Sequence, residues 1–433
     1  MERNSRWPGF YKLSIEERRQ VAAEALGISV SDMQQALEGG LQSERADKII
    51  ENVVGTFSLP FALALNVTVN GSDYIAPMVV EEPSVVAAAS NAARMIRGGG
   101  GFEADADDPV MTAQVQLDEV PDPVAACERL RGHSGELCAL GDAQVPGLLR
   151  RGGGVRGIEV RDLGDGMVVV HFFVDCRDAM GANLVNTVAE GVATRIQELS
   201  GGEIGLRILS NLCDRRKVRV RARVPAASLA GNGFDGARVR DGIVKASRFA
   251  ERDPYRATTH NKGLMNGLDA VVIATGNDWR AVESGVHAYA ARDGQYRPLC
   301  VWRGEGDDLV GELELPLSLG IVGGPSRVHD GARMGLRIVG VESATELAMV
   351  AASVGMASNL AALRALATEG IQRGHMALHA RSVAIAAGAT GAEVERVAST
   401  IHGKGDINLA AAEQALSALR GGREQVVAPP PGE

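Results

Sequence analysis

Hydrophobic and polar positions alternate along this chain in a way that predicts distinct blocks. Residues 14–27 carry helical spacing, opened by the capping-box pattern Ser14-Ile15-Glu16-Glu17 and stopped by Gly27. Shorter helices are expected at 31–38 and 43–54. The texture then turns extended over 59–69. Asn70-Gly71 is a two-residue hairpin signal, and 74–80 reads as the return strand. Pro83 suits the first turn of a helix that ends at the glycines 98–101. Its faces are small or apolar almost all round, so it should be buried, with Glu82 at its N-terminal end.

From about residue 109 the order becomes strand 111–117, helix 123–140, strand 157–163, strand 167–174, helix 180–199 and strand 205–210, with Gly164-Asp165-Gly166 as a turn. This βαββαβ order is that of ferredoxin-like modules, and the block is short enough to be inserted in a larger domain. After 215 the larger-domain texture returns: strand 217–224, helix 236–250, strands near 299–303 and 309–315, and helices 343–354 and 359–368. From 372 the chain reads as a small helical unit ending in a proline-rich tail. The stretch 257–280 stands apart. A polar, glycine-punctuated loop through Lys262 leads to the short β-branched run 270–274, which reads as a buried strand, and then to a second loop with Asp278. Lys262 and Asp278 are thus expected at one end of a central element, where a carboxylate holds the lysine charged. A lysine so held stabilises a developing oxyanion. The plain alternative is a surface ion pair.

Composition narrows the field. The 433 residues allow two or three domains, and 45% hydrophobic with 23% charged residues is an ordinary globular balance. A net charge of −9 argues against a nucleic-acid surface, with Arg215-Arg216-Lys217 as a local basic spot. Five widely spaced cysteines, without a Cys-x-x-Cys pair, fit a reducing compartment. No apolar run approaches the roughly 18 residues of a membrane span, and the N-terminus lacks the apolar segment of a signal peptide. The expectation is a soluble, cytoplasmic protein.

Three motifs compete for chemistry. Gly231-Asn232-Gly233-Phe234-Asp235-Gly236 matches G-x-G-x-x-G, but no convincing strand precedes it, so it reads as a turn. His375 and His379 lie one helical turn apart, but the glutamate of H-E-x-x-H is missing and no third ligand is evident; no metal is expected. A histidine there suits proton donation better. The strand-to-helix turn Asp175–Asn183 is rich in small residues, which suits phosphate at a helix N-terminus as well as it suits a plain tight turn.

Taken in order, Glu51-Asn52-Val53-Val54-Gly55, Val80-Glu81-Glu82-Pro83-Ser84, Asp178-Ala179-Met180-Gly181-Ala182-Asn183, His260-Asn261-Lys262-Gly263, Thr275-Gly276-Asn277-Asp278-Trp279 and Gly374-His375-Met376 closely resemble the motifs of the 3-hydroxy-3-methylglutaryl-coenzyme A (HMG-CoA) reductase family, in its soluble bacterial class. The resemblance runs from about residue 5 to about 420. It implies an α+β fold: a large domain around a long central helix (1–108 and 216–371), an inserted ferredoxin-like dinucleotide-binding domain (109–215) and a C-terminal helical flap (372–433). It implies reduction of the HMG-CoA thioester to mevalonate by two hydrides, releasing coenzyme A, in a homodimer with active sites at the subunit interface. By position, the catalytic residues are Glu82, Lys262, Asp278 and His375. The substrate contacts are Ser84, Arg256, Asn266 and Asn359, and Asp178, Met180, Gly181, Ala182 and Asn183 lie at the dinucleotide.

Residue chemistry agrees with these roles. A thioester carbonyl taking up hydride needs a fixed cation, Lys262; Asp278 can hold that cation, Glu82 can act as an acid, and His375 on a closing flap can protonate the departing thiolate. A hinge is expected at Gly374. Residues 139–146 depart from the family pattern. Asp142 there could bond a ribose 2′-hydroxyl and repel a 2′-phosphate, which favours NADH, with NADPH as the alternative. Two rivals remain. A reductase of another branched acyl-CoA would alter Ser84, Arg256 or Asn266, and a non-catalytic acyl-CoA or nucleotide binder would lose one of the four catalytic residues.

Overall fold

The computed structural model describes residues 4–424 other than 232, 325–327 and 369, and the side chains of 371–378 and 421–424 fall outside that description. The N-terminal helices are α1 (Ile15–Leu26), α2 (Val30–Gly39) and α3 (Ser43–Ala46). Ser14 and Glu17 close the expected capping box on α1. The helix expected over 43–54 stops after four residues, and the segment that follows leaves Val54 and Phe57 exposed. Strands β1 (Phe61–Val69) and β2 (Ser72–Val79) form the expected hairpin. Asn70 and Gly71 both have left-handed φ, 49° and 80°, the geometry that a two-residue turn of this hand requires. Helix α4 (Val85–Arg97) follows, then β3 (Phe102–Ala106).

The inserted unit runs β4 (Val110–Asp118), α5 (Pro123–Gly132), α6 (Ser134–Gln144), α7 (Pro146–Leu149), β5 (Gly154–Gly164), β6 (Met167–Asp175), α8 (Ala182–Ser200) and β7 (Glu203–Ser210). The sheet order is β5-β6-β4-β7 and every pair is antiparallel, the ferredoxin-like arrangement. The single helix expected over 123–140 breaks at His133 into α5 and α6. Alternating residues of β4 and β6, such as Val115 and Phe172, pack on Val188, Val192 and Ile196 of α8 in a core of their own.

Strand β8 (Lys217–Pro225) re-enters the larger unit, followed by α9 (Ala226–Leu229), α10 (Gly236–Arg252), α11 (Pro254–Ala274), α12 (Trp279–Ala290), β9 (Cys300–Glu305), β10 (Asp308–Pro316), α13 (Asp330–Val339) and α14 (Ala344–Ala367). A six-stranded sheet runs β2-β1-β3-β8-β10-β9, antiparallel except between β1 and β3.

Two expectations fail here for the same reason. The loop–strand–loop expected over 257–280 is instead α11, a 21-residue helix started by the Asp253 cap and Pro254 in its first turn. The two helices expected at 343–354 and 359–368 are one, α14. Helix α14 and the second half of α11, from Leu264 on, are covered on nearly all sides, so neither stretch shows a helical apolar stripe. Helix α14 is also long and apolar enough to cross a membrane, contrary to expectation, but 78% of its most apolar window is buried within the protein. It is the central helix of the core.

The two helices cross closely. A Cβ on Gly267 would sit 2.7 Å from both the Val354 carbonyl oxygen and the Ser358 Cβ, so only glycine fits there. That contact sets Lys262 and Asn266 of α11 beside Ser358 and Asn359 of α14.

The chain ends in α15 (Ile371–Ala386), α16 (Ala392–Lys404) and α17 (Leu409–Glu424), around Ala380, Ala384, Val397, Ile401 and Leu416. The break from α14 lies at Thr368 (φ −121°, ψ −98°) and Gly370 (φ 81°), not at Gly374, which is inside α15.

Candidate active site

One cavity of about 520 Å³ opens between the start of α4, α11 and α14, and it gathers Glu82, Ser84, Arg256, Lys262, Asn266 and Asn359. Lys262 and Asn266 are four residues apart on α11 and so share a face. The Lys262 Nζ donates to Glu82 Oε2 at 2.6 Å, and the Asn266 amide donates to the same oxygen at 3.3 Å. The lysine side chain is 58% exposed. Its charge therefore interacts weakly in the open cavity and strongly once a ligand excludes water.

Ser84 holds φ at 76°, unusual for a residue with a side chain, and its Oγ is buried with no hydrogen-bond partner. A strained residue with an orphan hydroxyl at a cavity wall fits a ligand contact. Arg256 makes no ion pair among the described residues, and burial holds its guanidinium below the usual arginine range. It is a free cation for an acidic group.

Asn359 lines the cavity and also has a structural part. Its Oδ1 accepts from Trp302 Nε1 at 2.9 Å, and its amide donates to the His260 carbonyl at 3.0 Å, all in a buried setting. It holds α11 to α14 and to β9 while lining the cavity. His260 completes that brace. Its Nε2–H donates to the Cys300 carbonyl at 2.8 Å, and burial pushes the imidazole down to about 4, so the ring is neutral. The sequence reading missed this brace, because its residues line up around Lys262 only once 254–274 is recognised as a helix.

A second cavity of about 550 Å³ lies between the turn into α8, residues 275–280 and residues 320–324. Met180, Gly181, Ala182 and Asn183 line it. Gly181 has φ 110°, and a Cβ there would come within 2.5 Å of Cys176 Sγ, so this turn accepts only glycine. The N–H groups opening the 19-residue α8 beside this close-packed turn suit the phosphates of a dinucleotide.

Two expected cofactor residues are placed otherwise. The Asp178 carboxylate accepts from the Ala344 N–H at 2.9 Å and ties this turn to the start of α14. The Asp142 carboxylate accepts from the Val155 N–H at 2.7 Å, docking α6 on β5. Neither lines the cavity.

Asp278 lines this second cavity and caps α12, accepting from the Arg280 and Ala281 N–H groups, both at 3.1 Å. The expected Lys262–Asp278 pairing within one chain is therefore wrong. Twelve residues of α11, roughly 18 Å of helix, separate Lys262 from Ala274, and the lysine pairs with Glu82 instead. His375 belongs to α15, but its side chain lies outside the described residues. Among the described residues no group of three or more His, Cys, Asp or Glu could hold a metal. The literal G-x-G-x-x-G follows the short helix α9, and Gly231 bridges Phe234 across a turn.

The sequence profile described as Hydroxymethylglutaryl-coenzyme A reductase matches residues 14–380. The chain belongs to the HMG-CoA reductase family. It is an HMG-CoA reductase, an oxidoreductase that uses a nicotinamide cofactor. The HMG-CoA reductase of Archaeoglobus fulgidus is 48% identical over 421 residues, 96% of this chain and 95% of that one. A probable HMG-CoA reductase of Borreliella burgdorferi is 32% identical over 86% of this chain and 85% of its own. Among solved structures, the HMG-CoA reductase of Streptococcus pneumoniae superposes with a TM-score of 0.81 at 40% identity, covering 96% of this chain and 100% of that one. A class II HMG-CoA reductase from the same organism, described as bound to NADPH in open conformations, matches with a TM-score of 0.80 at 41% identity over 84% of this chain and 100% of its own.

Proposed function

We propose that this HMG-CoA reductase works as a homodimer in which the first cavity of one copy meets the second cavity of the other. The observation that carries this reading is the separation of Lys262 and Glu82 from Asp278 within a single chain. A second copy supplies what one copy holds too far away, and the exposed apolar side chains of Val54 and Phe57 offer a surface for it to cover. In such a site Asp278 of the partner subunit approaches the Lys262–Glu82 pair.

The residues divide the work as follows. Arg256 and Ser84 hold the acid end and hydroxyl of the acyl group, with Asn266 beside them. Lys262 faces the thioester carbonyl and stabilises the oxyanion that forms there. Glu82 carries the proton that the developing alcohol needs, and His375 protonates the thiolate of coenzyme A when α15–α17 close over the site. Met180, Gly181, Ala182 and Asn183 hold the dinucleotide, which would supply one hydride per molecule bound, so the four-electron reduction uses two molecules in turn. The same groups serve mevalonate formation and its reversal.

NADH preference was expected from Asp142, whose carboxylate is engaged with Val155, so specificity constants for NADH and NADPH decide that choice. The domain boundaries 109–215 and 372–433 and a cytoplasmic location belong to the same proposal, supported by the separate cores and by five free cysteines.

Subunit mixing tests the dimer. Lys262→Met and Asp278→Asn should each be inactive alone, and co-expressed they should recover up to about a quarter of wild-type activity in heterodimers carrying one intact site. No recovery in heterodimers shown to form would place both residues in the site of one chain.

A further inference from the structure

Arg216 is the most deeply buried cation of the chain that no carboxylate pairs with among the described residues. It is 3% exposed. The two acids near it bond other groups, Asp175 pairing with Arg156 at 2.7 Å and Asp178 accepting from the Ala344 N–H, though both still favour the charged guanidinium from a distance. The guanidinium instead donates to backbone carbonyls, those of Met180 at 3.0 Å and Ala179 at 3.4 Å from one nitrogen and that of Leu319 from the other. Ala179 and Met180 belong to the turn into α8, and Leu319 begins the segment that forms the facing wall of the second cavity. The neighbouring side chains are the thiols of Cys176 and Cys213, whose acidity burial suppresses to about 12 and about 11, so they remain neutral and do not offset the charge.

The flanking residues show that this is no surface patch. Arg215 lies over the Phe173 ring at 3.7 Å, and Lys217 faces Glu314 at 3.9 Å.

A buried guanidinium without a carboxylate in direct contact is costly to fold and persists where something else uses it. Three further contacts converge on the same seam. Ile321 N–H donates to the Asp178 carbonyl at 2.9 Å. Asn277 accepts from Gly320 N–H at 2.7 Å and donates to the Gly320 carbonyl at 3.1 Å. Gly320 packs so closely that a Cβ would lie 2.4 Å from Met180 N.

We propose that Arg216 is a positioning residue of the dinucleotide cavity, clamping the 178–181 turn to the 319–324 wall and placing a fixed positive charge behind the turn that receives an anionic dinucleotide. This rests on the reading of the second cavity as the dinucleotide site. The planar fork reaches carbonyls of two segments from two nitrogens held at a fixed spacing, which the single ammonium of a lysine does not provide. Its charge, offset only in part by the more distant Asp175 and Asp178 carboxylates, favours a pyrophosphate at the turn without touching it.

The test compares affinities for the two ligands in purified full-length protein. Dissociation constants for the reduced dinucleotide, from its own fluorescence, and for HMG-CoA, from calorimetry, are measured for Arg216→Met, Arg216→Lys, Gly320→Ala and Asn183→Ala. Arg216→Met should weaken the dinucleotide by at least about tenfold while HMG-CoA changes less than twofold. Arg216→Lys, with the charge but not the fork, should fall between it and wild type, and Gly320→Ala should weaken the dinucleotide by forcing the same seam apart.

Unchanged dinucleotide affinity in folded Arg216→Met, or equal weakening of both ligands, overturns the proposal. If Arg216→Met does not fold, unchanged dinucleotide affinity in both Arg216→Lys and Gly320→Ala overturns it. Asn183→Ala separates the two readings. If it too leaves the dinucleotide unaffected, the cavity is not the dinucleotide site; if it weakens binding while the Arg216 and Gly320 variants do not, only the role of Arg216 falls.

Discussion

Replacing Lys262 by methionine removes the charge at the proposed oxyanion position while keeping most of the stem. The structure sets two unequal consequences. For folding, the lysine makes one charge-assisted bond to Glu82, with side chains 58% and 31% exposed. A pair this open contributes about 0–1 kcal/mol, which in a chain of this length moves the melting temperature by roughly 2 °C or less. For catalysis, losing a donor aimed at a developing oxyanion costs about 10²–10³ in kcat, roughly 2.7–4 kcal/mol. The two readouts should therefore separate: near-wild-type melting with turnover down at least a hundredfold. The assay follows dinucleotide absorbance with saturating HMG-CoA, beside a thermal melt of the same preparation. Retention of more than about a tenth of the wild-type rate would refute the assignment. So would a melting loss beyond about 5 °C, which would make the lysine a folding residue.

Gly181→Ala should weaken dinucleotide binding with little effect on HMG-CoA, because its Cβ meets Cys176 Sγ at 2.5 Å and its φ is 110°; equal affinity for the dinucleotide in a folded variant would count against the turn as a binding element. The pH dependence of stability offers a separate check at Asp269 and Glu283. Burial, then its hydrogen bond with Glu283, pushes Asp269 up to about 9, while a hydrogen bond from His287, 2.6 Å away, holds Glu283 below its usual range. His287 in turn meets the Tyr296 hydroxyl at 2.7 Å. Native Asp269 keeps its proton where the unfolded chain has lost it, so this group costs stability progressively from about pH 4 to about pH 9. Glu283 acts oppositely, its contribution being present at neutral pH and lost in acid. Asp269→Asn keeps a donor that cannot titrate, so wild type should lose stability relative to it between pH 6 and 9, by at most about 1.4 kcal/mol per pH unit. Parallel denaturation curves across that range would show that Asp269 is already ionised.

Local signals were legible wherever one residue type answers one physical need. Asn70-Gly71 announced a turn because both positions need left-handed backbone. The βαββαβ order was readable because its strands are short β-branched runs set off by turn glycines and its helix α8 keeps a helical apolar stripe. The site motifs were legible as a set, and Glu82, Lys262, Ser84, Arg256 and Asn266 do meet in one cavity.

In the core, what failed were segments without a solvent face. Val271, Val272 and Ile273 look like a strand because burial on every side erases the helical period, although Asp253-Pro254 already marked a helix start. Asp142 was misassigned for a different reason. A carboxylate near a glycine-rich turn looks the same in sequence whether it bonds a ligand or the N–H of Val155 thirteen residues later. Arg216 was hidden within a basic run whose two other members face outward.

The central position of α14 has a consequence for how the chain is made. The inserted ferredoxin-like unit is a continuous segment with its own core, so it can close soon after residue 215 has emerged. The larger sheet cannot. Its β1, β2, β3 and β8 strands and α11 wait for an apolar helix that ends at Ala367. At about 5–20 residues per second, those roughly 150 residues take on the order of 8–30 s to synthesise. Through that interval the inner face of the sheet stands open to water, joined by that of α11 once it is made, and the nascent chain offers these apolar surfaces to aggregation or to a chaperone until α14 slides into place.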